Sequence, residues 1–313
     1  MGARVLLAGF AMVVAGCVAP EDLVCDSEDA TVVRSGERDV VLRPWLDDGV
    51  APRGTVVLFH GLGESACTWV DRVEGRRLSD RLRALGFRVV APDSGPTTSS
   101  WATGWPTNDD ATGVDQSLQV LADDGLIDMS GPAFALGHSN GGTFAPIWAE
   151  LSAFDVRAAV NANGWGADVL GASAEPPPLL FVTAVNDVVV PPALTRAAVT
   201  RAEDAGHSVE SLENEPQFVE PSRFARIPAL DEADSEAIFA ALDGAGLLDD
   251  DATLNSNPRL DRRWESALPD GYDEHRDTIE EQLHVLYAEH RFSSDNSPTI
   301  EAFFEAALVG EEP

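Results

Sequence analysis

The sequence predicts an α/β architecture: a mostly parallel central sheet flanked by helices, with a helical or irregular insertion late in the chain. Short apolar runs alternate with stretches of helical spacing from Thr55 to Ala205, the rhythm of strand-helix-strand units. Those runs are apolar at successive positions, as strands buried on both faces require. The rhythm then breaks. After Ser208–Leu212 no convincing strand follows from about Glu215 to Thr278, a segment rich in Asp, Pro and Asn.

In chain order, Arg4 and the apolar run Val5–Val14 come first. The run is too short to span a bilayer and reads as an export signal. Val14-Ala15-Gly16-Cys17 resembles the lipobox of bacterial lipoproteins, which implies cleavage before Cys17 and lipidation of its thiol. Ordinary signal cleavage, with Cys17 discarded or free, is the alternative. Myristoylation is not supported, because Leu6 stands where Ser or Thr is needed. The expected organisation is a signal peptide over 1–17, a polar tether over 18–30 and one domain over 31–313. Its inserted cap or lid spans about 214–278. Cys25 and Cys67 remain as two thiols able to pair in an oxidising compartment, although sequence does not fix their distance.

Thr31–Arg34 and Asp39–Arg43 read as a hairpin around Ser35-Gly36-Glu37, and Thr55–His60 as a buried strand ending in Gly61. Helical spacing over Leu78–Leu85 stops at Gly86. Strands are expected at Arg88–Ala91, Ala133–Leu136, Val156–Val160 and Leu179–Val185. Helices are expected at Val114–Leu121, Thr143–Ala153 and Ala193–Ala205. Ser235–Leu242 is helical within the insertion, and Thr278–Ala288 and Thr299–Leu308 close the chain as helices.

Charge narrows the partners. There are 53 Asp+Glu against 21 basic residues, all of them Arg, for a net charge of −32. Such a field repels phosphate backbones and argues against nucleic acid. It reads first as a solvated acidic surface, with a salty habitat as the weaker reading. Asp249-Asp250-Asp251 lacks the glycine and terminal glutamate of an EF-hand loop, so it reads as a solvated turn and no metal site is expected.

The chemistry concentrates at Gly137-His138-Ser139-Asn140-Gly141, which has the G-x-S-x-G form. It lies between a buried strand and a helix, where a sharp turn exposes the serine hydroxyl. A serine hydroxyl needs a base to take its proton and a third group to orient that base. Chain order in such folds is Ser, acid, His. Asp187 follows the apolar strand Leu179–Val185 and is the candidate acid. Among six histidines, His60 and His138 precede the acid, and His207 lies before a strand, at the wrong end of a parallel sheet. His284 falls inside a helix. His290, in the loop between the last two helices, is the candidate base, with His275 second. Oxyanion donors are expected from the backbone N–H of Asn140 and that of Leu62, in the turn His60-Gly61-Leu62-Gly63. Trp69, Trp101, Trp105 and Trp165 follow strands and are candidates for an apolar acyl pocket, each with core packing as its plainer role.

Together these residues resemble the α/β-hydrolase family over Thr55 to Leu308, most closely at His60–Gly63, Gly137–Gly142 and Asp187. His60-Gly61-Leu62 resembles the oxyanion loop of bacterial lipases and esterases. Ser-Asn-Gly-Gly after His138 is similar to the elbow of polyester-depolymerase and feruloyl-esterase-like proteins. The long stretch before His290 departs from the pattern. The resemblance implies a serine hydrolase that cleaves a small or polymeric carboxylic ester through an acyl-enzyme on Ser139, without metal or organic cofactor. Two alternatives stand beside it: a catalytically silent surface lipoprotein that binds a ligand, and an acyltransferase.

Overall fold

The computed structural model describes residues 23–43, 52–95, 99–103, 108–166 and 176–310. Cys17, the signal segment and Trp105 lie outside the described residues. The chain begins with a hairpin of β1 (Thr31–Ser35) and β2 (Arg38–Leu42), turned by Gly36 at φ 62°. It continues through β3 (Gly54–Phe59), α1 (Thr68–Asp71), α2 (Val73–Ala84), β4 (Phe87–Pro92) and α3 (Asp109–Asp123). Next come β5 (Ala133–His138), α4 (Asn140–Leu151), β6 (Val156–Ala162), β7 (Leu179–Ala184), α5 (Pro192–Asp204) and β8 (Val209–Asn214). The last helices are α6 (Glu232–Gly244), α7 (Arg263–Ala267), α8 (Arg276–Leu286) and α9 (Ser297–Val309).

The strands form one sheet in the order β1-β2-β4-β3-β5-β6-β7-β8. β2 pairs antiparallel with β1 and β4, and every other pairing is parallel. An eight-stranded, mostly parallel sheet in this order, with helices on both faces, is the α/β-hydrolase fold. Successive strand residues serve opposite faces. Val57 and Phe59 of β3 join Phe144, Trp148 and Trp101 in one buried cluster, while Val56 and Leu58 join Phe134, Leu136 and Phe304 in the other.

Helix starts are where structure and sequence pattern differ most. α2 begins five residues before Leu78, and α3 five before Val114. The opening turn of α3 is acidic, so apolar spacing misses it. Asn108 caps it instead, accepting the N–H groups of Asp110 and Ala111. α8 ends at Leu286, two residues short of the expected end, and Ala288 at φ 56° turns the chain away.

The described part of the expected tether is anchored rather than loose. Cys25 is disulfide-bonded to Cys67, and Asp71 accepts the N–H groups of Asp26 and Ser27. The segment expected as an insertion contributes to a third buried cluster, which also takes in Val73 of α2. Val219, Phe224, Ile238, Leu242, Leu254 and Trp264 pack with Ile279, Leu283 and Leu286 of α8. No described helix is long and apolar enough to cross a membrane.

Candidate active site

β5 ends at His138 and α4 begins at Asn140, leaving Ser139 as the entire connection. It takes φ 56° and ψ −118°, strain of about 1–3 kcal/mol for a residue other than glycine. So tight a turn demands glycine on both sides. A Cβ on Gly137 would lie 2.0 Å from the Gly141 carbonyl oxygen, and one on Gly141 would lie 2.2 Å from the Phe59 carbonyl.

Asp187 follows the carboxyl end of β7, and one of its oxygens, Oδ1, accepts the N–H groups of Val189 and Val190 at 2.8 and 2.7 Å. His290 arrives from the turn after α8. Asn186 holds that turn by donating its N–H to the Ala288 carbonyl and its side-chain amide to the Tyr287 carbonyl. The Glu289 carboxylate accepts the His290 N–H at 2.9 Å and is itself gripped by Arg259 from the insertion.

Three segments remote in sequence thus bring Ser139, Asp187 and His290 together. The Ser139 hydroxyl donates to His290 Nε2 at 2.8 Å, and His290 Nδ1–H donates to Asp187 Oδ2 at 2.6 Å. All three residues are buried. Leu62 lies in the turn after β3, its side chain 54% exposed. Neither the Leu62 nor the Asn140 backbone N–H has an acceptor among the described residues. Such a group is free to receive negative charge.

The other candidates lie apart from this relay. His275, of intermediate exposure, sits 3.6 Å from Glu274, and His207 bonds Glu150 and the Pro177 carbonyl. His284 is buried in α8, and burial first of all pushes its imidazole down to about 4. Trp69 is buried against Phe292 and Trp101 is buried against Phe144, while Trp165 is 39% exposed.

Beside the relay, Glu64, Arg72, His138, Glu281 and Arg291 line a cavity of about 20 Å³, room for about one water. Burial holds His138 below its ordinary range and pushes the Glu281 carboxyl up to about 7. Glu64, Glu289 and Arg259 escaped the sequence reading. Arg259 and Glu289 meet through packing of the insertion, for which no local spacing is a sign.

No protein-family model and no curated protein matches the chain. Among solved structures it is similar to a thermostable esterase at 24% identity and TM-score 0.47, over 61% of this chain and 55% of that one. The chain therefore spans about half of that esterase. It is also similar to a thermophilic esterase from the planctomycete Thermogutta terrifontis, solved with butyrate bound, at 15% identity and TM-score 0.43, over 60% of this chain and 84% of that one. A ferulic acid esterase is similar at 12% identity and TM-score 0.47, over 59% of this chain and 88% of that one. The fold assignment rests on strand order, and these likenesses bring no substrate with them.

Proposed function

We propose that this chain is a serine hydrolase that cleaves a carboxylic ester through an acyl-enzyme on Ser139. The observation that carries the reading is the unbroken relay from Ser139 Oγ through the His290 ring to the Asp187 carboxylate, with links of 2.8 and 2.6 Å. His290 Nε2 takes the hydroxyl proton as Ser139 Oγ attacks the ester carbonyl. Asp187, anchored by two backbone N–H groups, keeps the other ring nitrogen protonated and stabilises the imidazolium. The Leu62 and Asn140 N–H groups receive the oxyanion, commonly worth about 10²–10³ in rate per donor. The imidazolium protonates the departing alcohol. Water, deprotonated by His290, then releases the acid and restores Ser139.

Export with a lipid anchor on Cys17 belongs to the same proposal. Its support is the lipobox-like Val14–Cys17 and the Cys25–Cys67 disulfide, a bond that persists in oxidising compartments.

The test is intact mass after treating the full chain, extracted from membranes, with a fluorophosphonate. One adduct per chain, absent from Ser139→Ala, is expected, together with the mass of a diacylglyceryl group on Cys17. Folded protein that takes no adduct overturns the hydrolase reading. A mass without the lipid removes the anchor alone.

A further inference from the structure

Leu62 and Asn140 supply the two oxyanion donors from separate segments, and no covalent feature sets their separation. Leu62 follows β3, whereas Asn140 opens α4. A single short segment, Ser99–Trp101, hydrogen-bonds to both. On the Leu62 side, the Ser99 carbonyl accepts the Gly63 N–H at 2.8 Å, and the Trp101 indole N–H donates to the His60 carbonyl at 3.0 Å. These two bonds bracket Leu62. On the other side, the Trp101 N–H donates to Asn140 Oδ1 at 2.6 Å, and Asn140 Nδ2 donates to the Trp101 carbonyl at 3.2 Å. The Ser100 hydroxyl adds a third contact to the Asn140 side chain, donating to Oδ1 at 3.3 Å.

The indole is 2% exposed, which leaves it little surface to offer an acyl chain. It stacks on Phe144 of α4 at 4.7 Å and meets Phe59 of β3 edge-on at 5.2 Å. Trp101 therefore packs on β3 and α4 and hydrogen-bonds both to the turn that follows β3 and to the residue that opens α4.

We infer that Trp101 is a positioning residue for the oxyanion hole: the Ser99–Trp101 strap ties the His60–Gly63 turn to the Asn140 side chain and holds the Leu62 and Asn140 N–H groups at a working separation. The inference rests on the serine-hydrolase reading above. Donors assist the reaction only if they are in place before charge develops on the carbonyl oxygen. A displacement of about 1 Å can cost about 10²-fold in rate. The neutral carbonyl of the bound ester asks less of them, so loosening the strap lowers kcat more than it raises KM.

The test compares Trp101→Phe with Trp264→Phe. Each variant removes a single indole N–H bond of 3.0 Å to a backbone carbonyl, and each tryptophan is 2% exposed. Trp264 lies in the insertion and bonds Pro258, so its loss carries the structural cost without touching the strap. Asn140→Ala is the second variant. It deletes the strap's other half, keeps the backbone N–H, and decides the question should Trp101→Phe not fold.

Two probes are read, hydrolysis of 4-nitrophenyl acetate and the affinity of an aryl trifluoromethyl ketone. Ser139 Oγ adds to that ketone, its proton passes to His290, and the carbonyl oxygen becomes an oxyanion in the hole. Trp101→Phe is expected to lower kcat and ketone affinity about tenfold with KM within about twofold, and Asn140→Ala to lower kcat about 10²-fold. Trp264→Phe is expected to keep the parent's kinetics. Equal kinetics for folded Trp101→Phe and Trp264→Phe, or a rise in KM alone, overturns the strap while the parent still reacts with fluorophosphonate. A parent that reacts with neither fluorophosphonate nor ketone overturns the hydrolase reading and the strap with it.

Discussion

That Ser139, Asp187 and His290 come together was legible in the sequence because each stands beside a local sign: a glycine pair, the end of an apolar strand, and the exit of a helix. Their neighbours carry no such sign. Asn186 and Glu289, next in sequence to Asp187 and His290, hold the His290 turn through contacts that only folding creates. The division of labour at Asp187 is open to a direct test. Asp187→Asn keeps an oxygen for the Val189 and Val190 N–H groups, but its amide cannot serve as the ionised partner of His290 Nδ1–H. The histidine then loses its working tautomer and the counter-charge for its imidazolium. A fall in kcat of about 10⁴-fold is expected, with the urea midpoint close to the parent's. A variant that retains most of its kcat would remove Asp187 from the relay.

α8 shows what apolar spacing conceals. Its pattern of Ile279, Leu283 and Leu286 was readable as a helix face, and those residues do pack into the core of the insertion. Besides Val285, its other buried positions are Glu281, Gln282 and His284, polar residues that a pattern reading assigns to solvent. Gln282 instead bonds Glu74 of α2, and Arg223 of the insertion bonds Gln282, so α8 serves as a junction between layers. The same limit explains the missed first turns of α2 and α3, which open on a mix of charged and small residues with no sustained apolar spacing. Glu281 has an energetic consequence. Burial, with Glu74 and Glu64 nearby, pushes its carboxyl up to about 7 from an ordinary 4.5, against the pull of Arg72 and Arg291. A carboxyl raised by folding contributes stability below its unfolded value and loses it as pH rises through the folded one. Glu281→Gln, neutral at every pH, should match the parent near pH 4.5 and exceed it at pH 8 by on the order of 2–3 kcal/mol. His284, pushed down to about 4, acts in the opposite sense and loses stability as pH falls below its ordinary 6.5. It is common to both proteins and leaves the difference intact. Urea unfolding at the two pH values checks this; a constant offset would show that Glu281 does not change charge on folding.

For the molecule as a whole, the fold class was readable from strand-helix rhythm, while the core built around α6 was not, because most of the apolar residues that α6 meets, such as Val219, Leu254 and Trp264, are scattered through loops and short helices. Net charge acts at this scale too. With 53 acidic residues against 21 arginines, the net charge is −32, so pairing every arginine still leaves a large excess of carboxylates without a cation. Two salt effects then compete. Screening weakens exposed ion pairs such as Arg157–Asp155 and Arg196–Glu213, each worth about 0–1 kcal/mol. It also weakens repulsion among the unpaired carboxylates, which opposes the compact state. The pairs are confined to the neighbourhood of 21 arginines and are local, whereas repulsion sums over the whole surface and reaches about 10 Å at 0.1 M salt, shrinking to about 3 Å at 1 M. Repulsion should therefore dominate, and Tm should rise as NaCl increases from about 0.1 M to about 1 M. KCl should act equally, since screening depends on ionic strength and not on the identity of the cation. A flat or falling Tm would mean that the arginine pairs outweigh the excess charge. A rise in only one of the two salts would point to cation binding in place of screening.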